Sequence, residues 1–174
     1  MPNWCNNTLT IRGKKEDLLA FKKQLEDNKP KDGHVCLFQT FVPTPDEIKN
    51  TTAPNQDEEN AKYLLEKYGA TDWYNWQIEK WGTKWGCCNA YWEEEDPMDT
   101  HHDGLFDMIL HYDTAWSPGD DCLREIFISN DDLSFFLQYE ESGMGFQGNL
   151  FVRNGQLESQ ECVSYVADHI ESIW

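Results

Sequence analysis

Leu105–Glu141 reads LFDMILHYDTAWSPGDDCLREIFISNDDLSFFLQYEE, and its periodicity changes twice. From Leu105 to Trp116 apolar residues alternate, with Phe106, Met108, Leu110 and Tyr112 on one face and Asp107, His111 and Asp113 on the other. That pattern predicts a strand half buried against a core. Ser117, Pro118 and Asp120 then supply an N-cap, a first helical proline and an early acid, so the sequence predicts a helix over Pro118–Ile128. Asn130-Asp131-Asp132 ends it, and Leu133–Glu141 returns to period two with Leu133, Phe135, Leu137 and Tyr139 inward. Gly143-Met144-Gly145 turns the chain into a hairpin partner, Phe146–Arg153, and Asn154-Gly155 marks a further turn.

Working outward toward the N-terminus, Asn7–Gly13 reads as a strand with Leu9 and Ile11 inward, and Lys14–Asp27 as a helix with Leu18, Phe21 and Leu25 on one face. Pro30 and Lys31-Asp32-Gly33 close this unit. His34–Val42 is predicted to be extended, and Pro43–Asn60, with three prolines among polar residues, to be an exposed insertion (residues 43–60). Helices are expected over Ala61–Tyr68, stopped by Gly69, and after Asp72, where a short helix carries Trp73, Tyr74, Trp76, Ile78 and Trp81 and stops at Gly82. A strand Thr83–Glu93 then leads through an acidic hairpin loop, Glu93–Gly104 (residues 93–104), into Leu105. At the other end, Ser159–Ser172 is predicted to be an amphipathic helix showing Cys162, Val166 and Ile170 or Ile173 on one side. The order β–α, β–β, α–β is that of an α+β, ferredoxin-like split βαβ sandwich in one domain, residues 1–174. It carries a helical insertion after the first βα unit and an extra C-terminal hairpin and helix. The sheet is expected to be mainly antiparallel with helices on one face, and the tryptophan-rich stretch Trp73–Trp92 is the candidate cover for the other.

Charge is distributed unevenly along this frame. Residues 1–84 hold 13 acids and 12 bases, whereas residues 85–174 hold 19 acids and two bases, Arg124 and Arg153, so the second half carries −17 of a net −18. Those charges cannot all lie farther apart than a Debye length of about 8–10 Å, so they sustain a negative potential that repels nucleic acid and attracts basic protein surfaces. Direct nucleic-acid binding is therefore disfavoured. The same charge equally confers solubility. With no apolar run approaching the ~18 residues of a membrane span and no basic leader, a cytoplasmic protein is expected. Its six cysteines, Cys5, Cys36, Cys87, Cys88, Cys122 and Cys162, then read as reduced thiols.

The acids best placed to meet a basic partner are Glu93, Glu94, Glu95, Asp96, Asp99 and Asp103 on the hairpin loop, with Asp120 and Asp121 at one end of the predicted helix and Asp131 at the other. Asp120 and Asp121 also serve as dipole partners of that helix. Asp96, Asp99, His101, His102 and Asp103 match neither an EF-hand loop nor a helical His-x₃-His pair, so no metal is assigned to them. No CxxC occurs, and Cys87-Cys88 would alternate between sheet faces, which argues against a shared zinc. No cofactor is expected. Trp81, Trp85 and Trp116 make either a pocket, with Lys84 and Glu140 as its polar groups, or core packing with Lys84 and Glu140 as an ion pair. No nucleophile elbow, HExxH or phosphate-binding glycine loop is present, and Glu140 and Glu141 fall on opposite strand faces, so no enzyme is expected.

Four blocks carry a resemblance: Met1-Pro2-Asn3-Trp4-Cys5-Asn6-Asn7, Trp81-Gly82-Thr83-Lys84-Trp85, Thr114-Ala115-Trp116-Ser117-Pro118, and Tyr139 through Gly148 (YEESGMGFQG). In this order they resemble the YubB ferredoxin-like family, whose members are typically encoded by phages, plasmids and other mobile elements. The resemblance spans the chain apart from the Pro43–Asn60 and Glu93–Gly104 loops and implies the same fold and a mobile-element origin; it implies no reaction. This chain departs from the common pattern at Trp85-Gly86-Cys87-Cys88, where polar or acidic residues are usual, and at Ser117-Pro118-Gly119, where a second proline often follows. Charge and resemblance together lead to the expectation of a non-enzymatic protein that binds a basic host protein, as a nucleic-acid mimic directed at a host defence (CRISPR or restriction) system. The other expectation is a small-molecule-binding or catalytic domain built on the tryptophan-lined pocket.

Overall fold

The computed structural model describes residues 3–29 and 33–164. Strand β1 (Trp4–Gly13) turns Cys5, Leu9 and Ile11 to the core, and α1 (Lys15–Asp27) covers them with Leu18, Phe21 and Leu25, spaced three and four residues apart as one helix face requires. Four helices follow: α2 (Leu37–Phe41), α3 (Asp46–Lys49), α4 (Glu58–Tyr68) and α5 (Trp73–Trp81). The remainder runs β2 (Lys84–Trp92), β3 (Phe106–Ala115), α6 (Asp120–Ser129), β4 (Ser134–Glu141), β5 (Phe146–Arg153) and β6 (Gln156–Ser164).

The strands form one sheet in the order β2-β3-β1-β4-β5-β6, with every ladder antiparallel. The first four positions, with α1 after β1 and α6 after β3, are the ferredoxin-like split βαβ arrangement, and β5 and β6 widen it past β4. Central β1 sets the register of the core: Leu9 lies opposite Leu110 and Leu137, and Ile11 opposite Met108 and Phe135. All these side chains are buried beneath α1 and α6 in one apolar cluster.

Several local expectations give way to tertiary packing. His34–Val42 is not extended: Leu37–Phe41 is helical, because a helical turn seats Phe38 against Trp81, 5.7 Å between ring centroids, and Phe41 against Phe21, 5.6 Å. The stretch read as an exposed insertion, Pro43–Asn60, contains α3 and is anchored by Ile48, which is 0% exposed. Helix α6 begins at Asp120, not at Pro118; its N-cap is Gly119 at φ 69°, and Ser117 Oγ instead accepts the Gly119 N–H at 3.3 Å. Ser159–Ser164 is strand, not helix, because the outer edge of β5 presents unpaired backbone groups that β6 satisfies from Gln156 to Ser164. The rest of the predicted C-terminal helix, residues 165–172, lies outside the described residues. Trp76 and Trp81 do not cover the second sheet face; they join Phe38 and Cys36 in the same core as the helices.

Helix α5 owes its position to its ends. Asp72, buried, accepts the Asn75 backbone N–H at 2.9 Å and hydrogen bonds from the Asn75 amide at 2.8 Å and the Thr71 hydroxyl at 3.0 Å, and Gly82 closes the helix at φ 73°. Asp72→Ala is expected to lower stability by about 1–2 kcal/mol, as loss of a buried N-cap does, with Asp72→Asn recovering most of it. Urea unfolding checks both.

Candidate functional site

Because strand side chains alternate, the sheet face away from the helices is determined once the core is placed. It presents Trp4, Asn6, Thr8, Thr10 and Arg12 from β1, flanked by Asp113, His111, Ile109 and Asp107 from β3 and by Glu140, Gln138, Phe136 and Ser134 from β4. Among the described residues no helix covers this face, and side chains tie it together. The Asn6 and Asn89 amides donate to the two Asp113 carboxylate oxygens at 2.7 and 2.9 Å. His111 lies 3.3 Å from Thr8 Oγ1 and 3.0 Å from Glu93 Oε2, with the Tyr91 ring stacked on it at 5.0 Å. Arg12 reaches both oxygens of Asp107 at 2.9 Å and Asp103 at 2.7 Å, and Asp107 is itself buried and accepts from Thr100 Oγ1.

Two grooves run over this face. One, of about 530 Å³, is lined by Asn6, Thr8, Gln138, Glu140, Asn149 and Glu161 together with apolar neighbours, and no lysine or arginine lines it among the described residues. The other, of about 690 Å³, has Phe136 and Phe151 as its apolar floor with Arg12, Arg153, Asp131 and Asp132 around it. At a corner of the sheet Lys84 Nζ stands 3.9 Å from the Trp85 ring centroid and 4.1 Å from that of Trp116. Trp85 and Trp116 have φ of 66° and 67°, a region bulky residues rarely occupy and that costs about 1–3 kcal/mol at each. Hydrogen bonds hold both backbones there: Trp85 N–H donates to Gln77 Oε1 and Trp116 N–H to the Asn3 carbonyl, each at 2.9 Å.

The acids predicted to meet a partner fall into distinct groups. Glu95 accepts from Lys22 at 2.7 Å, Glu93 faces His111, Asp99 accepts the His102 N–H at 2.9 Å, and Asp103 faces Arg12, so four of the loop acids help fold the loop. The Leu105 N–H and the Arg12 guanidinium hold the Asp103 carboxyl below its ordinary range, and Lys22 does the same for Glu95. Glu94 and Asp96 are exposed on that loop. Asp120 and Asp121 accept from the Gln160 amide at 3.0 Å and from Arg124 at 2.8 Å, which ties α6 to β6. Asp131 lies at the rim of the larger groove. His101 points to Asp107 at 3.7 Å and His102 to Asp99 at 3.3 Å; among the described residues no three His, Cys, Asp or Glu side chains stand together as metal ligands.

The predicted pocket residues also separate. Trp81 is 2% exposed and its indole N–H donates to the Val42 carbonyl at 2.9 Å, so it belongs to the core. Lys84, Trp85 and Trp116 converge at the corner, and Glu140 lines the smaller groove opposite Asn6. Sequence reasoning missed Tyr74 beside Lys84, Trp4 against Trp85, and the row Asn6, Thr8, Gln138 and Glu161. The polar alternation of Asn6, Thr8, Thr10 and Arg12 was the signal for that row. Behind β2, Cys36 Sγ accepts the Cys87 N–H at 3.2 Å; hydrogen bonding from the Cys87 thiol pulls the Cys36 pKa down to about 7, while burial pushes Cys87 well above the ordinary thiol value. No helix among the described residues is long and apolar enough to cross a membrane.

Comparison with known proteins bears on the fold. No curated protein sequence matches the chain. The crystal structure of Api92 from Yersinia pseudotuberculosis superposes with a TM-score of 0.55 at 10% identity, covering 95% of this chain and 98% of that one. At that identity the likeness is one of fold. Residues 84–169, from β2 past β6, match the family described as the ferredoxin-like domain in Api92-like protein, and the chain is similar in fold to Api92 over nearly its whole length.

Proposed function

We propose that this protein is a non-enzymatic binding module that holds a basic protein against the open face of its sheet. In its finer form the proposal is that the protein is carried by a phage or plasmid and acts in the host cytoplasm, where it occupies the nucleic-acid-binding surface of a host defence protein. The observation that carries the reading is the smaller groove: a polar trough on the sheet face away from the helices, edged by Glu140 and Glu161 with no lysine or arginine among its described lining residues, most of which come from the half of the chain that holds −17. Among the described residues, an arginine or lysine chain entering it meets carboxylates and amide oxygens and no like charge. A protein that grips duplex phosphates, spaced about one charge per 1.7 Å of axis, has the complementary surface. The hairpin-loop acids have a smaller part, since Glu93, Glu95, Asp99 and Asp103 are engaged within the chain, whereas exposed Glu94 and Asp96 add to the field.

The test is capture from host lysate on the immobilised protein at low and high salt, followed by identification of what is retained. A nucleic-acid-binding protein released by salt and displaced by duplex DNA is the expected result. The double variant Glu140→Gln/Glu161→Gln is expected to weaken its binding about tenfold, the scale of losing two charge contacts of intermediate strength. Retention indifferent to salt and to both substitutions sinks the proposal.

A further inference from the structure

The corner around Lys84 is an aromatic cage whose present occupant is the protein's own ammonium group. Besides the two indoles at 3.9 and 4.1 Å, the Tyr74 ring lies 5.9 Å from Lys84 Nζ, and the Trp4 ring leans on Trp85 with 6.2 Å between centroids and 45° between planes. The walls come from α5, β2 and the residue that follows β3, with β1 supplying the Trp4 ring behind Trp85, so the cage exists only in the folded chain. It is open on one side, for Trp85 is 46% exposed and Trp4 38%. A glycine or asparagine adopts a φ of 66° with less strain than tryptophan, so what the indole at position 85 adds is its ring face.

We propose that this corner is a binding site for a methylated ammonium group, and that Lys84 is a tethered placeholder which the ligand displaces. Ring faces attract cations through their quadrupole, and the attraction is realised best by a cation that gives up little hydration on entry. A primary ammonium is compact and strongly hydrated, and its four-carbon stem is flexible. A trimethylammonium group spreads its charge over methyls that lie flat on indole faces and has no N–H to leave unsatisfied. Lys84, half-buried beside an open mouth, exchanges its two ring contacts for water, while the incoming group exchanges a poorly held hydration shell for the same rings. Charge complementarity alone, which underlies the basic-partner reading, does not distinguish a methylated from an unmethylated cation; this site does. The two proposals therefore stand or fall separately.

Choline chloride titrated into the protein, with sodium chloride at equal ionic strength as control, reads the site through tryptophan fluorescence and calorimetry. Saturation in roughly the millimolar range is expected for the parent, as for competition with a tethered group. Lys84→Ser is expected to bind about tenfold more tightly, since removing the placeholder makes every molecule competent. Trp85→Asn is expected to lose the response while melting no lower than the parent. A short peptide bearing trimethyllysine, compared with the same peptide unmethylated, separates the sources: tighter binding than choline assigns the site to a modified protein side chain, and equal binding to a free small cation. Lack of saturation in Lys84→Ser overturns the proposal, as does Trp85→Asn with parental affinity. A Trp85→Asn protein that melts lower, together with no choline response in Lys84→Ser, identifies a structural clamp instead and equally overturns it.

Discussion

Gly119→Ala is expected to destabilise the protein by about 3 kcal/mol, which for a chain of this size shifts the thermal midpoint down by about 6–12 °C. Gly119 sits at φ 69° where the chain enters α6, and a Cβ built there meets the Trp81 carbonyl oxygen and comes within 2.8 and 2.9 Å of two Phe38 ring atoms. Two costs combine. The left-handed backbone costs a residue with a Cβ about 1–2 kcal/mol, and forcing a methyl into a packed joint costs about 1–3 kcal/mol more. The neighbours have little room to yield, because Trp81 ends α5 and its indole N–H is committed to Val42, while Phe38 is fully buried against that ring. Gly104→Ala is the control: its φ is 85°, yet nothing lies within 4 Å of the added Cβ. It is expected to show the backbone cost alone. Equal losses at the two sites, measured by urea unfolding, would falsify the packing account of the α5–α6 joint.

Phe135→Ala is expected to cost about 3–5 kcal/mol, the range for deleting a fully buried phenyl ring. Phe135 has no solvent exposure; its ring lies parallel to that of Phe127 at 4.5 Å and inclined to that of Phe21 at 5.4 Å, so a single side chain of β4 joins α6 and α1 to the sheet. Phe135→Leu leaves most of the volume filled and is expected to lose less than half as much. The neighbouring residue tests the face assignment. Phe136 is half-buried on the open face and meets Phe151 edge-on at 5.8 Å, so Phe136→Ala is expected to cost about 1 kcal/mol. It also changes the floor of the larger groove. If the two alanine variants unfold at the same denaturant concentration, β4 does not divide a buried face from an open one.

That division was legible in the chain. Period-two alternation along Leu105–Trp116 and Leu133–Glu141 marks β3 and β4 with their faces, and a helix between them leaves few topologies open, so the ferredoxin-like order followed from element sequence alone. The strong negative bias of residues 85–174 was equally legible, because charge is a sum over residues and needs no coordinates. Its use was not. Glu95, Asp99 and Asp103 look alike in sequence to Glu94 and Asp96, but Lys22, the His102 N–H and Arg12 take up the first three only after the loop has folded against α1 and β1.

Other features have no local signature. Leu37–Phe41 suits a strand as well as a helix by composition, and the choice fell to the rings of Phe21 and Trp81, which are distant in sequence. Ser159–Ser164 has the spacing of a helix face, yet the exposed backbone edge of β5 outweighs that weak local preference, since a hydrogen-bonded ladder from Gln156 to Ser164 satisfies groups that otherwise have only water. Helix and strand periods are properties of neighbours along the chain, and they determined the layers, the faces and the sign of the field. Which edge is paired, which carboxylates are spoken for, and how Tyr74, Trp85 and Trp116 come to face one ammonium, with Trp4 packed on Trp85, depend on residues brought together from separate elements. Only tertiary contact decides among nearly equal local alternatives of that kind.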